Sequence, residues 1–276
     1  MSLTAEQISF AYAKQEFIIK NLTFSLERGE IVGLLGYSGS GKSTLLQLLK
    51  GLLQPVKGFI LIDGQAGRGK EKIKRDVGLL IQMPERQLFE TTVYEDVAFG
   101  PQNMGIPKQE CQERVRASLD EVGLRYDSYK DRSPHQLSSG EKRRAALAGI
   151  LAMRPSYLLL DEPTAGLDYE GRQRIMQIVA RLKDQNIGIL IVSHHLNELI
   201  TMADRLLVLE KGKVVLQGKP IEIIEDLESY FFAGHGLRPA REVLLGLAKH
   251  DLSFDSTSYT PEEIAEQIRN RWEEKG

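Results

Sequence analysis

Residues 36–44 read Gly36-Tyr-Ser-Gly-Ser-Gly-Lys-Ser-Thr44 and stand between an apolar run, Ile31 to Leu35, and a helical pattern, Leu45 to Leu49. A strand, a glycine-rich loop and a helix, in this order, form the context that a phosphate-binding loop requires. The glycines let the backbone curl so that successive N–H groups point at phosphate oxygens, and the helix N-terminus adds positive potential. This context favours a phosphate-binding loop over a glycine-rich turn capped by serine.

Each position of this loop has a predicted task. Lys42 is expected to neutralise the β and γ phosphates of a nucleotide, and the Ser43 hydroxyl is expected to ligate Mg²⁺. The other nucleotide-binding positions predicted in the loop are Gly36, Ser38, Gly39, Ser40, Gly41 and Thr44.

A second element, Tyr157-Leu-Leu-Leu-Asp-Glu162, is an apolar strand that ends in two adjacent carboxylates. Because side chains alternate along a strand, Asp161 and Glu162 are expected to do different jobs. We assign Asp161 to the Mg²⁺ shell and Glu162 to the attacking water as general base. Alone, the pair fits a solvated strand end equally well, and the phosphate-binding loop upstream favours the catalytic interpretation.

The rest of the chain indicates an α/β fold. Short apolar runs rich in β-branched residues predict buried strands, several of them between amphipathic helical patterns, at 22–26, 31–35, 59–62, 77–81, 157–160 and 187–192. From about Val93 to Ala152 the pattern is helical and predicts a helical insert. Near the C-terminus, Thr260, Pro261 and Glu263 predict the start of a last helix, whose apolar stripe packs within the chain or against a partner.

Composition limits the possible functions. The 276 residues include 36 basic and 38 acidic side chains, a net charge of −2 that gives no overall attraction for nucleic acid. The single cysteine, Cys111, excludes an intramolecular disulfide and fits a reducing compartment. No signal peptide is apparent, and no apolar run reaches the roughly 20 residues of a membrane-spanning helix. We therefore expect a cytoplasmic protein whose membrane role is peripheral.

Leu137-Ser-Ser-Gly-Glu141 separates this chain from other proteins with a phosphate-binding loop. It stands at the start of a helical stretch about 20 residues before Asp161 and resembles the signature motif of ABC ATPases. The resemblance implies that Ser138 and Gly140 approach the γ-phosphate of ATP held by the opposite subunit, since a helix N-terminus suits an anion. It also implies an ATPase whose cofactors are ATP and Mg²⁺.

Other positions agree with this resemblance. Gln82 resembles the family glutamine that contacts Mg²⁺ and water and connects to the membrane partner, and 165–168 resembles the loop at the dimer interface. His194 stands at the position of the histidine that reads the γ-phosphate, and Tyr12 matches the aromatic that stacks on adenine, although packing alone would also explain it. A metal pair of His194 and His195 is disfavoured, because adjacent strand residues point to opposite faces.

Within the family, residues 82–101 and the tail resemble the ATPase component of energy-coupling factor (ECF) transporters. The resemblance implies a P-loop NTPase fold of the ABC ATPase type, with an antiparallel β subdomain. Its domains would be a nucleotide-binding domain over 1–218, with a helical subdomain at about 85–155, and a C-terminal helical extension for dimerisation over 219–276. The implied partners are a second ATPase subunit, identical or paralogous, a transmembrane coupling protein and a small substrate-binding membrane protein, on the inner face of the membrane.

The implied function is to power an importer of vitamins or transition-metal ions, with ATP closing the dimer on the coupling protein. A soluble ABC ATPase acting on nucleic acid or ribosomes is the alternative, and a regulatory module with little turnover is a third. Three residues depart from the common family pattern: Ser139, Glu141 and His195. Ser139 adds a side chain where backbone approaches phosphate, so activity is expected to be modest.

Overall fold

The computed structural model describes residues 1–13, 16–64, 69–194, 196–220, 222–223 and 226–227. His195 and the helix predicted to start at Thr260 lie outside these residues. So does nearly all of the C-terminal extension predicted for 219–276, which therefore stays a prediction.

A six-stranded sheet forms the centre of the fold, in the order β5-β6-β7-β3-β8-β9. Its strands are parallel except β9, which runs antiparallel to β8 at one edge. In chain order they are β3 (Ile31–Leu35), β5 (Val77–Leu80), β6 (Tyr157–Asp161), β7 (Gly188–Val192), β8 (Arg205–Glu210) and β9 (Lys213–Gly218). The four strands β3, β5, β6 and β7 are apolar and almost wholly buried, as expected of parallel strands covered on both faces.

A separate three-stranded antiparallel sheet, in the order β2-β1-β4, consists of β1 (Ser2–Phe10), β2 (Ile19–Glu27) and β4 (Lys57–Ile62). The prediction that the run at 59–62 is buried is wrong at Phe59, which is 64% exposed. In β4, Phe59 and Leu61 lie on the face opposite to buried Ile62. One face of an antiparallel sheet can remain in contact with solvent, so Phe59 is exposed and Leu61 is half-buried. The strands β1, β8 and β9 were not among those predicted.

The α-helices up to residue 202 are α1 (Lys42–Leu49), α2 (Gly69–Asp76), α3 (Val93–Asn103), α4 (Lys108–Glu121), α5 (Tyr126–Tyr129), α6 (Ser139–Leu151), α7 (Tyr169–Asp184) and α8 (Leu196–Met202). Helices α3 to α6 form an excursion between β5 and β6, with no strand among the described residues of the excursion. Thr92 and Glu95 form a capping box at the start of α3, and Ser138 and Glu141 form another at the start of α6. No helix among the described residues combines the length and apolarity that crossing a bilayer requires.

Apolar side chains on the two faces of the central sheet form two cores. One lies between this sheet and helices α3, α4, α6, α7 and α8. The other lies between the opposite face, helix α1 and the antiparallel sheet. Helix α1, which follows the glycine-rich loop, is therefore anchored by Leu45, Leu46, Leu48 and Leu49, all of which are buried.

The far end of α1 is fixed by a half-buried lysine. The Lys50 ammonium donates hydrogen bonds to the carbonyls of Lys74 and Val77, which join α2 to β5. Burial lowers the pKa of Lys50 from 10.5 to about 8. The unfolded chain therefore binds more protons than the folded chain between these two values, so this lysine adds stability as the pH rises from about 8 to about 10.5.

We expect Lys50→Met to remove this rise. The free energy of unfolding, measured with urea across that pH range, should increase more steeply with pH in the wild type than in the variant. Lys57→Met, at an exposed position in β4, is the control and should keep the wild-type slope. Equal slopes for the wild type and Lys50→Met would contradict the assignment.

Candidate active site

The carboxyl ends of four neighbouring parallel strands bring the predicted catalytic residues together. The glycine-rich loop follows β3, Gln82 follows β5, Asp161 ends β6 and His194 follows β7. Ligands of open α/β sheets bind at this edge. Here the edge holds a cavity of about 300 Å³ lined by Ile18, Ser38, Gly39, Gly41, Lys42, Ser43, Thr44, Gln82, Asp161, Glu162, Val192 and His194.

The glycine-rich loop is folded into a shape that two of its glycines make possible. Gly36 has φ +150°, and a Cβ there would lie 2.3 Å from the Leu209 carbonyl oxygen. Gly41 has φ +108°, and a Cβ there would lie 2.9 Å from Ile19 Cδ1. The Leu209 carbonyl thus excludes a side chain at Gly36, and the positive φ strains one at Gly41, so the tight path into α1 depends on glycine.

Lys42, the first residue of α1, is held within the loop. Its Nζ donates to the carbonyl oxygens of Gly36 at 2.6 Å and Tyr37 at 3.1 Å. Burial lowers the pKa of Lys42, while Glu162 and Asp161 act in the opposite direction and favour the charged form. The Lys42 ammonium therefore lies at the mouth of the loop, where a phosphate would be bound.

Two side chains that could ligate a metal through oxygen, those of Ser43 and Asp161, lie near Lys42. Ser43 Oγ donates a hydrogen bond of 2.9 Å to Asp161 Oδ2. Burial raises the pKa of Asp161, and the bond from Ser43 and the charge of Lys42 offset part of this rise. A hydroxyl and a half-buried carboxylate in contact are the hard oxygen ligands that Mg²⁺ prefers, so these residues fit the metal predicted there.

Glu162 lies just beyond β6 and is 4% exposed. Its Oε1 is 3.0 Å from His194 Nε2, without the geometry of a hydrogen bond. Burial raises the pKa of Glu162, and His194 counters the rise. The backbone of Glu162 has φ +53°, a left-handed conformation that is uncommon for a residue with a side chain. A buried carboxylate with a raised pKa, beside an imidazole, is well suited to accept a proton from water.

Some predicted residues lie apart from this cavity. Gly36 is not in its lining, and neither is Ser40, whose side chain is 5% exposed and sits under the loop close to Gly36. Tyr12 is also outside the lining. Its hydroxyl lies 3.4 Å from Gln47 Oε1 and 3.5 Å from Thr44 Oγ1, and its ring packs edge-to-face on Phe10.

The signature residues line a different cavity, of about 380 Å³, together with residues of the 165–168 loop and the start of α7. Ser138 Oγ accepts from Glu141 N, and Glu141 Oε2 accepts from Ser138 N at 2.8 Å. Tyr129 donates a hydrogen bond of 2.6 Å to Glu141 Oε1, which lowers the pKa of Glu141. The acidic residue that departs from the family pattern is therefore built into the helix start. Ser138 and Gly140 do not join the first cavity in a single chain.

The sequence predictions did not include two residues that hold loops in place through hydrogen bonds to the backbone. Asp96 accepts backbone hydrogen bonds from Phe89 at 3.0 Å and Glu90 at 3.2 Å, and Arg143 donates to carbonyls of the loop after Glu162. An acidic residue in the first turn of a predicted helix was a usable signal for Asp96. For Arg143, one basic residue within Lys142-Arg-Arg144, no local signal existed.

Comparison with known proteins decides the family. The ABC transporter family model matches residues 19–165. The "Energy-coupling factor transporter ATP-binding protein EcfA2" of Clostridium perfringens is 38% identical, over 98% of this chain and 99% of that protein. The chain belongs to the ABC transporter family. The "EcfA" protein of Methanocaldococcus jannaschii is likewise 38% identical to this ABC ATPase, over 98% of both chains.

Solved structures agree with the fold. The structure of cbiO1 from Clostridium perfringens, part of the ABC transporter complex cbiONQ, superposes with a TM-score of 0.74 and 37% identity, covering 82% of this chain and 92% of that one. An ATP-binding cassette solved as a dimer in a post-hydrolysis state with ADP and Pi gives 0.69 and 27%, covering 79% and 98%. The predicted ABC ATPase fold and the ATPase activity are thus confirmed, and these relatives lend no support to the nucleic-acid alternative.

Proposed function

We propose that this ABC ATPase is the ATP-hydrolysing subunit of an ECF-type importer for vitamins or transition-metal ions. It works as one of two ATPase subunits, identical or paralogous. The pair docks from the cytoplasmic face on a transmembrane coupling protein, which acts with a small substrate-binding membrane protein. The relatives named above support the transporter class.

The observation that carries the membrane-partner part of the proposal is a groove of about 920 Å³ between the helical excursion and α2. Its lining is largely apolar and includes Leu88, Phe89, Phe99, Met104, Ile150 and Met153. Phe89 and Phe99 are 61% and 43% exposed and pack edge-to-face with centroids 4.8 Å apart. Exposed aromatic side chains in a groove are typical of surfaces that bind another protein.

The groove is connected to the nucleotide cavity. Gln87, in its lining, donates through Nε2 to the Leu79 carbonyl at 3.3 Å, and its Oε1 accepts from Ile81 N at 3.2 Å. These bonds fix the groove against the end of β5, directly before Gln82, which lines the nucleotide cavity. A helix inserted into the groove would therefore lie one short segment from the nucleotide.

The separate position of the signature cavity supports a two-chain nucleotide site. Ser138 and Gly140 would contact a phosphate held by the glycine-rich loop of the second subunit, with their helix N-terminus adding positive potential. ATP bound between two chains stabilises the closed dimer, and closure moves the coupling protein.

Hydrolysis uses the residues of the first cavity. Lys42 neutralises charge on the β and γ phosphates, and His194 and Gln82 contact the γ-phosphate and the attacking water. Glu162 accepts the proton of this water. Ser43, Asp161 and Gln82 would hold Mg²⁺, which supplies charge neutralisation of the phosphate oxygens. Tyr12 would stack on adenine.

Affinity purification from detergent-solubilised native membranes, followed by mass spectrometry, tests the proposal. The tagged wild-type chain should recover a multi-spanning coupling protein with small membrane partners. Phe89→Ser should recover at least about tenfold less of them, because an aromatic anchor in a groove contributes about 2 kcal/mol or more to binding. Phe59→Ser is the matched control, since Phe59 is 64% exposed on β4 outside the groove, and it should recover wild-type amounts.

Recovery of only ribosomal or DNA-associated proteins by the wild type would overturn the transporter assignment. Equal recovery by Phe89→Ser and the wild type would instead show that the partner binds elsewhere on the chain.

A further inference from the structure

We propose that Arg143 is a positioning residue for hydrolysis, which couples the signature helix α6 to the loop that carries Glu162. The coupling within one chain rests on hydrogen bonds from Arg143 to this loop. Its consequence for the opposite subunit's ATP rests on the proposed function.

Arg143 lies on α6, one turn and a half beyond Ser138, and is 7% exposed. Its Nη1 donates to the Pro163 carbonyl oxygen at 3.1 Å and to the Ala165 carbonyl oxygen at 2.6 Å. These two carbonyls belong to the residues immediately after Glu162 in the chain. The guanidinium therefore joins the helix that begins with the signature motif to the backbone that bears the predicted base.

The loop after Glu162 needs such support. Glu162 has φ +53°, and a residue with a side chain persists in that region only when its surroundings hold it there. Three other bonds fix the same loop: Glu162 N donates to Val192 O at 3.0 Å, Ala165 N to Glu162 O at 3.2 Å, and Thr164 Oγ1 to Glu198 Oε2 at 3.2 Å. The bond from Glu162 N ties the loop to the end of β7, the bond from Thr164 ties it to α8, and the bonds from Arg143 tie it to α6.

Arginine suits this position for a chemical reason. Its planar guanidinium stays charged and presents several N–H donors in fixed directions, so it can bridge two backbone carbonyls at once. Bonds from a charged donor are also stronger than neutral ones. A displacement of α6, such as one caused by phosphate arriving at Ser138, is thereby passed to Pro163 and Ala165 and changes where the Glu162 carboxylate lies. One subunit's base would in this way respond to the other subunit's ATP.

The test is a double-mutant cycle on the full-length chain. Arg143→Met should lower kcat for ATP by about 10- to 100-fold, since a small misplacement of a catalytic group costs this much. The Kd of a fluorescent ATP analogue should stay within about twofold of wild type, because Arg143 does not line the nucleotide cavity. Arg143→Lys should recover part of kcat. In a Glu162→Gln background, the further change Arg143→Met should cost less than about twofold, because the base it positions is already absent.

Arg181→Met is the matched control. Arg181 also donates to a backbone carbonyl, that of Glu121 at 2.9 Å, but it joins α7 to the end of α4. This variant should keep the wild-type kcat.

Two results would overturn the inference: a wild-type kcat for Arg143→Met, or an equal loss from Arg143→Met in both backgrounds. The second result indicates a general structural role. Failure of the proposed function would appear separately, as absence of an ATP-driven dimer in the Glu162→Gln chain.

Discussion

A Glu162→Gln chain is expected to bind ATP, accumulate as an ATP-bound dimer and hydrolyse ATP at least about 100-fold more slowly than the wild type. Glutamine has the same shape, and it meets the same backbone demand at φ +53°, but it cannot accept a proton from water. Binding should persist because Lys42 and the glycine-rich loop are untouched. Initial rates and size-exclusion chromatography with and without ATP measure the two effects.

The acid side of the pH–rate profile provides a second readout. Since burial raises the pKa of Glu162, this base is neutralised at a higher pH than an ordinary glutamate, and the wild-type rate should fall early as the pH is lowered. Glu113→Gln, at an exposed position on α4, is the control and should retain rate and profile. Wild-type turnover by Glu162→Gln would show that another group is the base.

Lys42→Met is expected to weaken ATP binding by about 10- to 100-fold, and turnover should fall at least as much. The ammonium is fixed by the Gly36 and Tyr37 carbonyls and faces the cavity from within the loop, so a phosphate gains charged hydrogen bonds there. A hydrogen bond to a charged group contributes about 1.5 to 3 kcal/mol, which corresponds to that range of affinity.

Titration with a fluorescent ATP analogue measures this loss. Lys57→Met again provides the control, because Lys57 is exposed on β4 and absent from the cavity lining. An unchanged Kd for Lys42→Met would place the phosphates elsewhere, and a loss shared by Lys57→Met would point to a general effect of charge.

Short motifs were sufficient to predict residues that line the cavity at the edge of the central sheet. The glycine-rich loop, the acidic end of β6 and His194 can each be recognised from a few neighbouring residues. All three meet at one edge of the sheet. The parallel strands β3, β5, β6 and β7 were visible because burial on both faces makes them continuous apolar runs, whereas the parallel strand β8 was missed although its residues 206–209 are equally apolar and buried. The edge strand β9 was missed because its residues alternate between half-buried and exposed, which gives no apolar run.

Interactions between distant segments could not be predicted in this way. Arg143 reaches carbonyls about 20 residues further along the chain, and Lys50 reaches those of Lys74 and Val77. Any surface lysine or arginine has the same letters around it, so only the packed fold distinguishes them. Likewise, Phe59 has the composition of a core residue, and its exposure depends on which face of β4 the antiparallel sheet covers.

The pairing of β5 with β6 has a consequence for how such proteins diversify. The two strands are direct neighbours, with Leu80 beside Leu160, so the chain leaves the sheet and returns to it at adjacent positions. Helices α3 and α4 and most of the groove's lining lie between these two strands, as an adaptor attached at one place. This adaptor can lengthen, shorten or change its surface without displacing any strand of the central sheet.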